Sequence, residues 1–248
     1  MNKSLTVEQS MLDTIKSDKI VGLKADTLDL GMKALLEDQV VQEIPIFGLL
    51  VKSYGALTHV TETIFANKIH RFLANINELS LNERIFVIEE ISNQKGGMRE
   101  AGEVLITLLN RADDTHKPDL IAKLFVECAL KTISVEKFLR LSNIVVNTYI
   151  DDLVKLKDIR NIFKFDDKIK SIYTACGLMQ ISTTKPAHYG GEYTIESLAE
   201  AMFDNGFKLE HDFTEEAELI ATICFDAPRK QQTRSVFSIL ETANKQGV

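Results

Sequence analysis

Residues 43 to 76, EIPIFGLLVKSYGALTHVTETIFANKIHRFLANI, hold the densest apolar run in the chain and constrain the fold more than any other stretch. Pro45 lacks an N–H and has a fixed φ, which suits the first turn of a helix. Ile46, Leu49, Leu50, Ser53, Leu57, Val60 and Ile64 then recur every three or four residues, as one helical face requires. Past Ile64 the apolar line moves to Phe65, Ile69, Phe72 and Ile76. That shift predicts a kink or a change of packing partner near Ala66 within one central helix. Gly48, Gly55, His59, Glu62 and Ala66 share the opposite face. Each glycine inside a helix costs roughly 1 kcal/mol relative to alanine, so a second element is expected to approach closely there.

The apolar run is only about half of the roughly 20 residues that a membrane-spanning helix needs, and Lys52, His59 and Glu62 interrupt its extension. A core helix is therefore the expectation. A membrane-surface effector acting through residues 44 to 64 is the alternative, and for the protein as a whole a membrane partner is not expected.

At 248 residues the chain can bury a large core in one domain or two. Its net charge of −7 argues against nonspecific coating of nucleic acid by the whole surface, though not against a local basic patch. Cys128, Cys176 and Cys224 are few and widely spaced, which points away from a disulfide framework and towards a reducing cytoplasm. Cys128 lies on an apolar helical line and reads as a small buried hydrophobe. The N-terminus, MNKSLTVEQSMLDTIKSDK, is charged throughout and lacks the apolar centre of a signal peptide.

Around the central stretch the periodicity predicts a helical bundle. Residues 1 to 42 carry two weaker helical patterns, the second through Leu28, Met32, Leu35, Leu36 and Val40. Ser80-Leu81-Asn82-Glu83 has the form of a capping box opening a helix through Ile85, Ile88 and Ile91. Gly96-Gly97 turns the chain into a helix from Met98 to Arg111. Pro118 opens another, through Ile121, Leu124, Phe125 and Cys128. Ser134 caps a long helix carrying Phe138, Leu141, Val145, Tyr149, Leu153 and Leu156.

No catalytic or metal-binding set emerges, and no cofactor is expected. Asp113, Asp114 and His116 lie together, but the ligand spacing and central glycine of a calcium loop are missing. His59 and His70 are eleven residues apart, roughly 16 Å along a helix, too far to share one metal. The chain has no G-x-S-x-G, H-E-x-x-H, C-x-x-C or phosphate-binding glycine motif.

From residue 166 the pattern changes. Asp166 or Asp167 caps a short helix through Ile169, Ile172 and Tyr173, and Gly177 suits its C′ position. Residues 178 to 182 read as a strand, 183 to 191 as a turn, 192 to 195 as a returning strand, and 198 to 203 as a helix. The order and the wording A-C-G-L-M-Q-I-S … G-G-E-Y-T-I-E-S-L-A resemble winged-helix modules, in which "GL" enters the wing and "Y-x-L-T-x-L-G" leaves it. Ile195, Glu196 and Ala199 stand where that pattern has leucine, a capping threonine and glycine. The stretch from Ile44 to Leu156, with E-I-P-I-F-G, L-L-N-R-A-D-D-T-H-K-P and F-L-R-L-S, resembles uncharacterised bacterial helical proteins, a likeness that brings no known reaction.

The winged-helix resemblance implies duplex DNA as partner, met by Lys164, Lys168, Lys170, Ser171 and Thr174 around the helix and by Lys185, His188 and Tyr189 at the wing. Charge supports it: residues 154 to 190 hold seven Lys or Arg against three acids. Residues 197 to 227 hold eight acids and one lysine, so the basic segment can instead pair with that acidic one. The tail is expected to form an amphipathic piece from Thr214 to Phe225, a break at Pro228, and a last helix through Val236, Phe237, Ile239 and Leu240.

The fold expected is thus mainly α: a bundle over residues 1–160, a small winged-helix-like α/β module over 161–207, and a helical tail over 208–248. The function expected is that of a non-enzymatic interaction protein, DNA-binding and regulatory through the winged helix. The alternative is a protein-interaction or phage-defence-type accessory factor with a structural winged element, or a membrane-surface effector through residues 44 to 64. Besides duplex DNA, the partner expected is a protein or a second copy joined through the C-terminal helix.

Overall fold

The computed structural model describes residues 6–21, 23, 39–54, 60–184, 195 and 208–228. Helix α1 (Val7–Ile15) is capped by Thr6, whose hydroxyl accepts from the Gln9 amide. A short α2 (Gln39–Gln42) leads into α3 (Pro45–Tyr54), and α4 (Val60–Ile76) follows. The central stretch is therefore two helices. Residues 55–59 between them lie outside the described residues, and α4 runs through Ala66, where a kink or a change of packing partner had been expected. The apolar line expected to run on through Val60 and Ile64 is not the buried one in α4. Ile46 and Leu50 are buried, whereas Val60 is 75 % exposed; the line through Ala66, Ile69, Phe72 and Ile76 is the buried one. Leu57, Gly55 and His59 lie outside the described residues.

The close approach expected at Gly48 is present. A Cβ there would lie 2.5 Å from the Gln42 carbonyl oxygen, a contact that leaves room only for hydrogen. Gly102 plays the same part where α6 crosses α1, with the Glu8 carbonyl oxygen 2.7 Å from where a Cβ would sit.

Helix α5 (Leu81–Lys95) opens with the capping box: the Ser80 hydroxyl accepts from the Glu83 amide and the Glu83 carboxylate accepts from the Ser80 amide. Gly96 and Gly97, both at positive φ, turn the chain into α6 (Met98–Arg111). Next come α7 (Lys117–Ala129), with Pro118 in its first turn, and α8 (Val135–Asn147), capped by Ser134. The long helix expected to reach Leu156 stops at Asn147. Thr148 and Tyr149 take extended backbone, the Thr148 hydroxyl donates to the Ile144 carbonyl, and a short α9 (Ile150–Val154) starts anew.

One apolar core runs from Met11 in α1 to Ala227. Helix α4 packs along α7, α7 along α8, and α1 against both α3 and α6. Phe72, Phe125 and Phe138 form an edge-to-face ladder through α4, α7 and α8, with ring centroids 5.5 and 5.8 Å apart.

Cations from neighbouring elements close several helix ends. The last carbonyls of a helix have no partner within it and carry the negative end of its dipole. Arg84 of α5 donates to the Ile15 and Ser17 carbonyls at the end of α1. Lys68 of α4 reaches the Asn110 carbonyl in α6, Lys117 of α7 the Val146 carbonyl in α8, and Lys19 the Glu43 carbonyl after α2. The buried charges of Arg84, Lys68 and Lys117 are tolerated because each replaces hydration with carbonyl oxygens that need a donor.

Candidate interaction surface

Helix α10 (Asp167–Ala175) is the helix expected before the wing. Asp166 caps it, its carboxylate accepting from the Ile169 amide at 2.8 Å. Gly177, at φ +78°, releases the chain into β1 (Met179–Thr184). Ile169 and Tyr173 face inward. The buried Tyr173 hydroxyl donates to the Asp152 carbonyl at 2.6 Å, fixing α10 to α9.

The strand paired with β1 is β2 (Lys208–Phe213), antiparallel, in the register Met179 with Phe213, Ile181 with His211 and Thr183 with Leu209. That differs from the short hairpin expected, with its return at 192–195. Ile195 is helical and exposed, and residues 192–194 lie outside the described residues. The alternation Leu209, His211, Phe213 against Glu210 and Asp212 is a strand signal, but its density of charge made the segment read as tail. One face of the ribbon carries Met179 and Phe213 inward, over Phe165 and Tyr173, with ring centroids 5.2 to 6.2 Å apart. The outer end of that face leaves Ile181 50 % and Leu209 61 % exposed. Nearby in sequence, Phe163 is 96 % exposed.

Helix α11 (Glu215–Phe225) follows β2, matching the amphipathic piece expected from Thr214. Thr214 caps it and also ties it to the turn before β1: its amide donates to the Leu178 carbonyl and its hydroxyl to that of Gly177. Ala217, Ile220, Ala221 and Cys224 pack on α7 and on the turn at 155–158. Cations of the bundle hold its acids. Lys137 and Arg140 pair with Glu216, Lys137 also with Glu215, and Arg160 with Glu218. Burial opposes ionisation of Glu216. Its own backbone amide and the Lys137 ammonium outweigh that, with the charges of Lys137 and Arg140, and hold the carboxyl below the usual carboxylate range. At the other end Lys123 donates to the Cys224 carbonyl and Arg160 to that of Pro228. The tail element is thus joined to the bundle by core packing and by ion pairs.

The residues singled out for DNA contact are distributed as follows. Lys168 and Ser171 lie exposed on α10. Lys164 pairs with Asp158 at 2.8 Å and Lys170 with Asp167 at 3.4 Å. The Ser171 hydroxyl donates to the Asp167 carbonyl and the Thr174 hydroxyl to that of Lys170, so both serve their own helix. Lys185, His188 and Tyr189 lie outside the described residues, as do the helices expected at 198–203 and 236–240.

The loop around His116 is taken up by structure. Asp113 pairs with Lys117, Asp114 accepts from the His116 amide at 2.7 Å, and Asp119 pairs with Arg71. Among the described residues no group of three or more His, Cys, Asp or Glu is arranged to hold a metal. Burial pushes the thiols of Cys128 and Cys224 up to about 12, so neither is a thiolate nucleophile near neutral pH. Among the described residues no helix is long and apolar enough to cross a membrane. Ile44, Ile46, Phe47 and Leu50, the side chains a membrane-surface role would use, are buried in the core.

Comparison of the chain with protein-family models, with curated proteins and with solved structures finds no match.

Proposed function

We propose that the chain is a non-enzymatic interaction protein of the cytoplasm that meets a protein partner through its α/β module. The observation that carries this reading is the outer end of the inward face of the β1–β2 ribbon, where Ile181 and Leu209 stand half in solvent on a scaffold fixed to the bundle. Diagonal neighbours on one face of an antiparallel pair lie within reach of a single docked side chain. Apolar groups on a rigid support are what a protein interface needs at its centre. The cytoplasm accords with three free cysteines. The test is an affinity capture from the native host, split by nuclease treatment, comparing the natural protein with Ile181→Asp/Leu209→Asp. A nuclease-resistant partner lost in the variant is the expected result. Partners released by nuclease, or retained by the variant, would defeat the reading.

Duplex DNA is the second reading, in which the module acts as a winged helix. Lys168 and Ser171 on the open face of α10 favour it. It ranks second because Lys155, Arg160, Lys164 and Lys170 already pair with Asp152, Glu218, Asp158 and Asp167. Phosphates would have to compete with those acids. Salt-dependent binding with a log–log slope of roughly −0.9 per phosphate, abolished by Lys168→Glu, would put DNA first.

A further inference from the structure

Helix α6 has two unlike faces. Ala101, Gly102, Leu105, Leu108 and Leu109 are buried in the bundle. Glu100, Glu103, Val104, Thr107, Leu108 and Arg111 recur at three- and four-residue steps and line an open groove of about 310 Å³. Leu108 and, from α8, Leu139 lie buried at the bottom of the groove, Val104 is half-buried beside them, and Lys95 also borders the space.

The charges on this stripe are available to a partner. Among the described residues Glu100, Glu103, Lys95 and Arg111 take part in no ion pair with one another or with the rest of the bundle. Arg111 is held by the neutral side chains of Asn143 and Asn147, at 3.5 and 2.8 Å, which position its guanidinium and leave its charge uncompensated. Acids occupy the first turns of the stripe and the arginine its last, eleven residues and three turns from Glu100.

That arrangement complements itself. When a second α6 is laid antiparallel about a twofold axis between Val104 and Thr107, Glu100 faces Arg111 of the other copy and Val104 faces its Thr107. An isologous contact uses the same patch twice, so the Glu100–Arg111 pair forms twice. Charges at such positions set register and orientation. We propose that the α6 stripe is a homodimer interface, and that the partner it fits is a second copy of this chain in antiparallel register. This surface is separate from the β1–β2 ribbon and does not depend on what that ribbon binds.

Sedimentation velocity of the full chain, over a concentration series at low and high salt, tests it. The expected result is a mass of two chains at low salt and a weaker dimer at high salt. Arg111→Glu and Glu100→Arg each replace two attractive pairs with two repulsive ones, and each should weaken self-association by at least about tenfold. An equimolar mixture of the two variants should regain the dimer mass, because a mixed pair has both contacts attractive. The Glu100→Arg/Arg111→Glu chain should dimerise like the natural one, and it also serves as the readout should either single variant fail to fold. A natural chain that stays monomeric throughout, single variants that dimerise undiminished, or a mixture or double variant that remains monomeric would each overturn the proposal.

Discussion

The Lys117 ammonium, wholly buried, donates to the Val146 carbonyl at 3.0 Å, so the start of α7 closes the end of α8. Asp113, four residues back, pairs with the same amine. Lys117→Met keeps most of the stem and removes the donor, leaving a helix-end carbonyl without its partner. A charge-assisted hydrogen bond of this kind contributes about 2 kcal/mol. A urea midpoint lowered to match that figure is expected for Lys117→Met. Lys157→Met, on an exposed lysine, should stay within about 0.5 kcal/mol of the natural protein.

Leu50 is buried in the core on α3. Leu50→Asp places a carboxylate there without a partner, which costs several kcal/mol, comparable with the whole stability of a domain. The variant is expected to be unfolded or insoluble, and the natural protein should not float with anionic liposomes. A folded, soluble Leu50→Asp chain would contradict the packing of α3.

His70 is buried beside Phe47, with ring centroids 6.1 Å apart. Burial first, and the Arg71 charge second, lower its pKa to about 4. The unfolded chain takes up that proton near pH 6.5. Stability is therefore complete above pH 6.5 and falls as the pH drops towards 4, by roughly 1.4 kcal/mol per pH unit at most. Urea midpoints between pH 6.5 and 5, above the range where carboxylates dominate, should show this decline in the natural protein and a flatter profile in His70→Gln.

These features differ in how far the sequence discloses them. The Ser80–Glu83 box, the Asp166 cap and the Gly177 turn depend on neighbours within a few residues, so local chemistry is enough to read them. The break after Asn147 is not local. The apolar line through Val145, Tyr149 and Leu153 continues past it, and what stabilises the break, Lys117 on the Val146 carbonyl, comes from 29 residues away. The pairing of β1 with β2 spans 23 intervening residues, 185–207, so the nearer 192–195 looked the better partner. The α6 stripe escaped because its acids, met one at a time, look like any solvated helix surface.

Removing the tail separates two views of the architecture. Helix α11 buries Ala217, Ile220, Ala221 and Cys224, packing on α7, and its acids sit on Lys137, Arg140 and Arg160. A chain ending at Arg160 exposes that patch of α7 and leaves those cations unpaired. It is expected to aggregate or to melt well below the full chain, as dynamic light scattering and a thermal scan would show. A soluble fragment with the full melting temperature would mean that residues 1–160 are self-sufficient.

Where a helix end is closed by a cation borne on another element, the fraying of that end is tied to the element that supplies the cation. Helix α7 supplies both Lys117 to α8 and Lys123 to α11. The terminal amides of α8 and α11 are then released to hydrogen exchange when α7 itself opens. Exchange rates should group by the helix that donates the cap and not by distance from a helix end, with α7 setting the slowest shared opening.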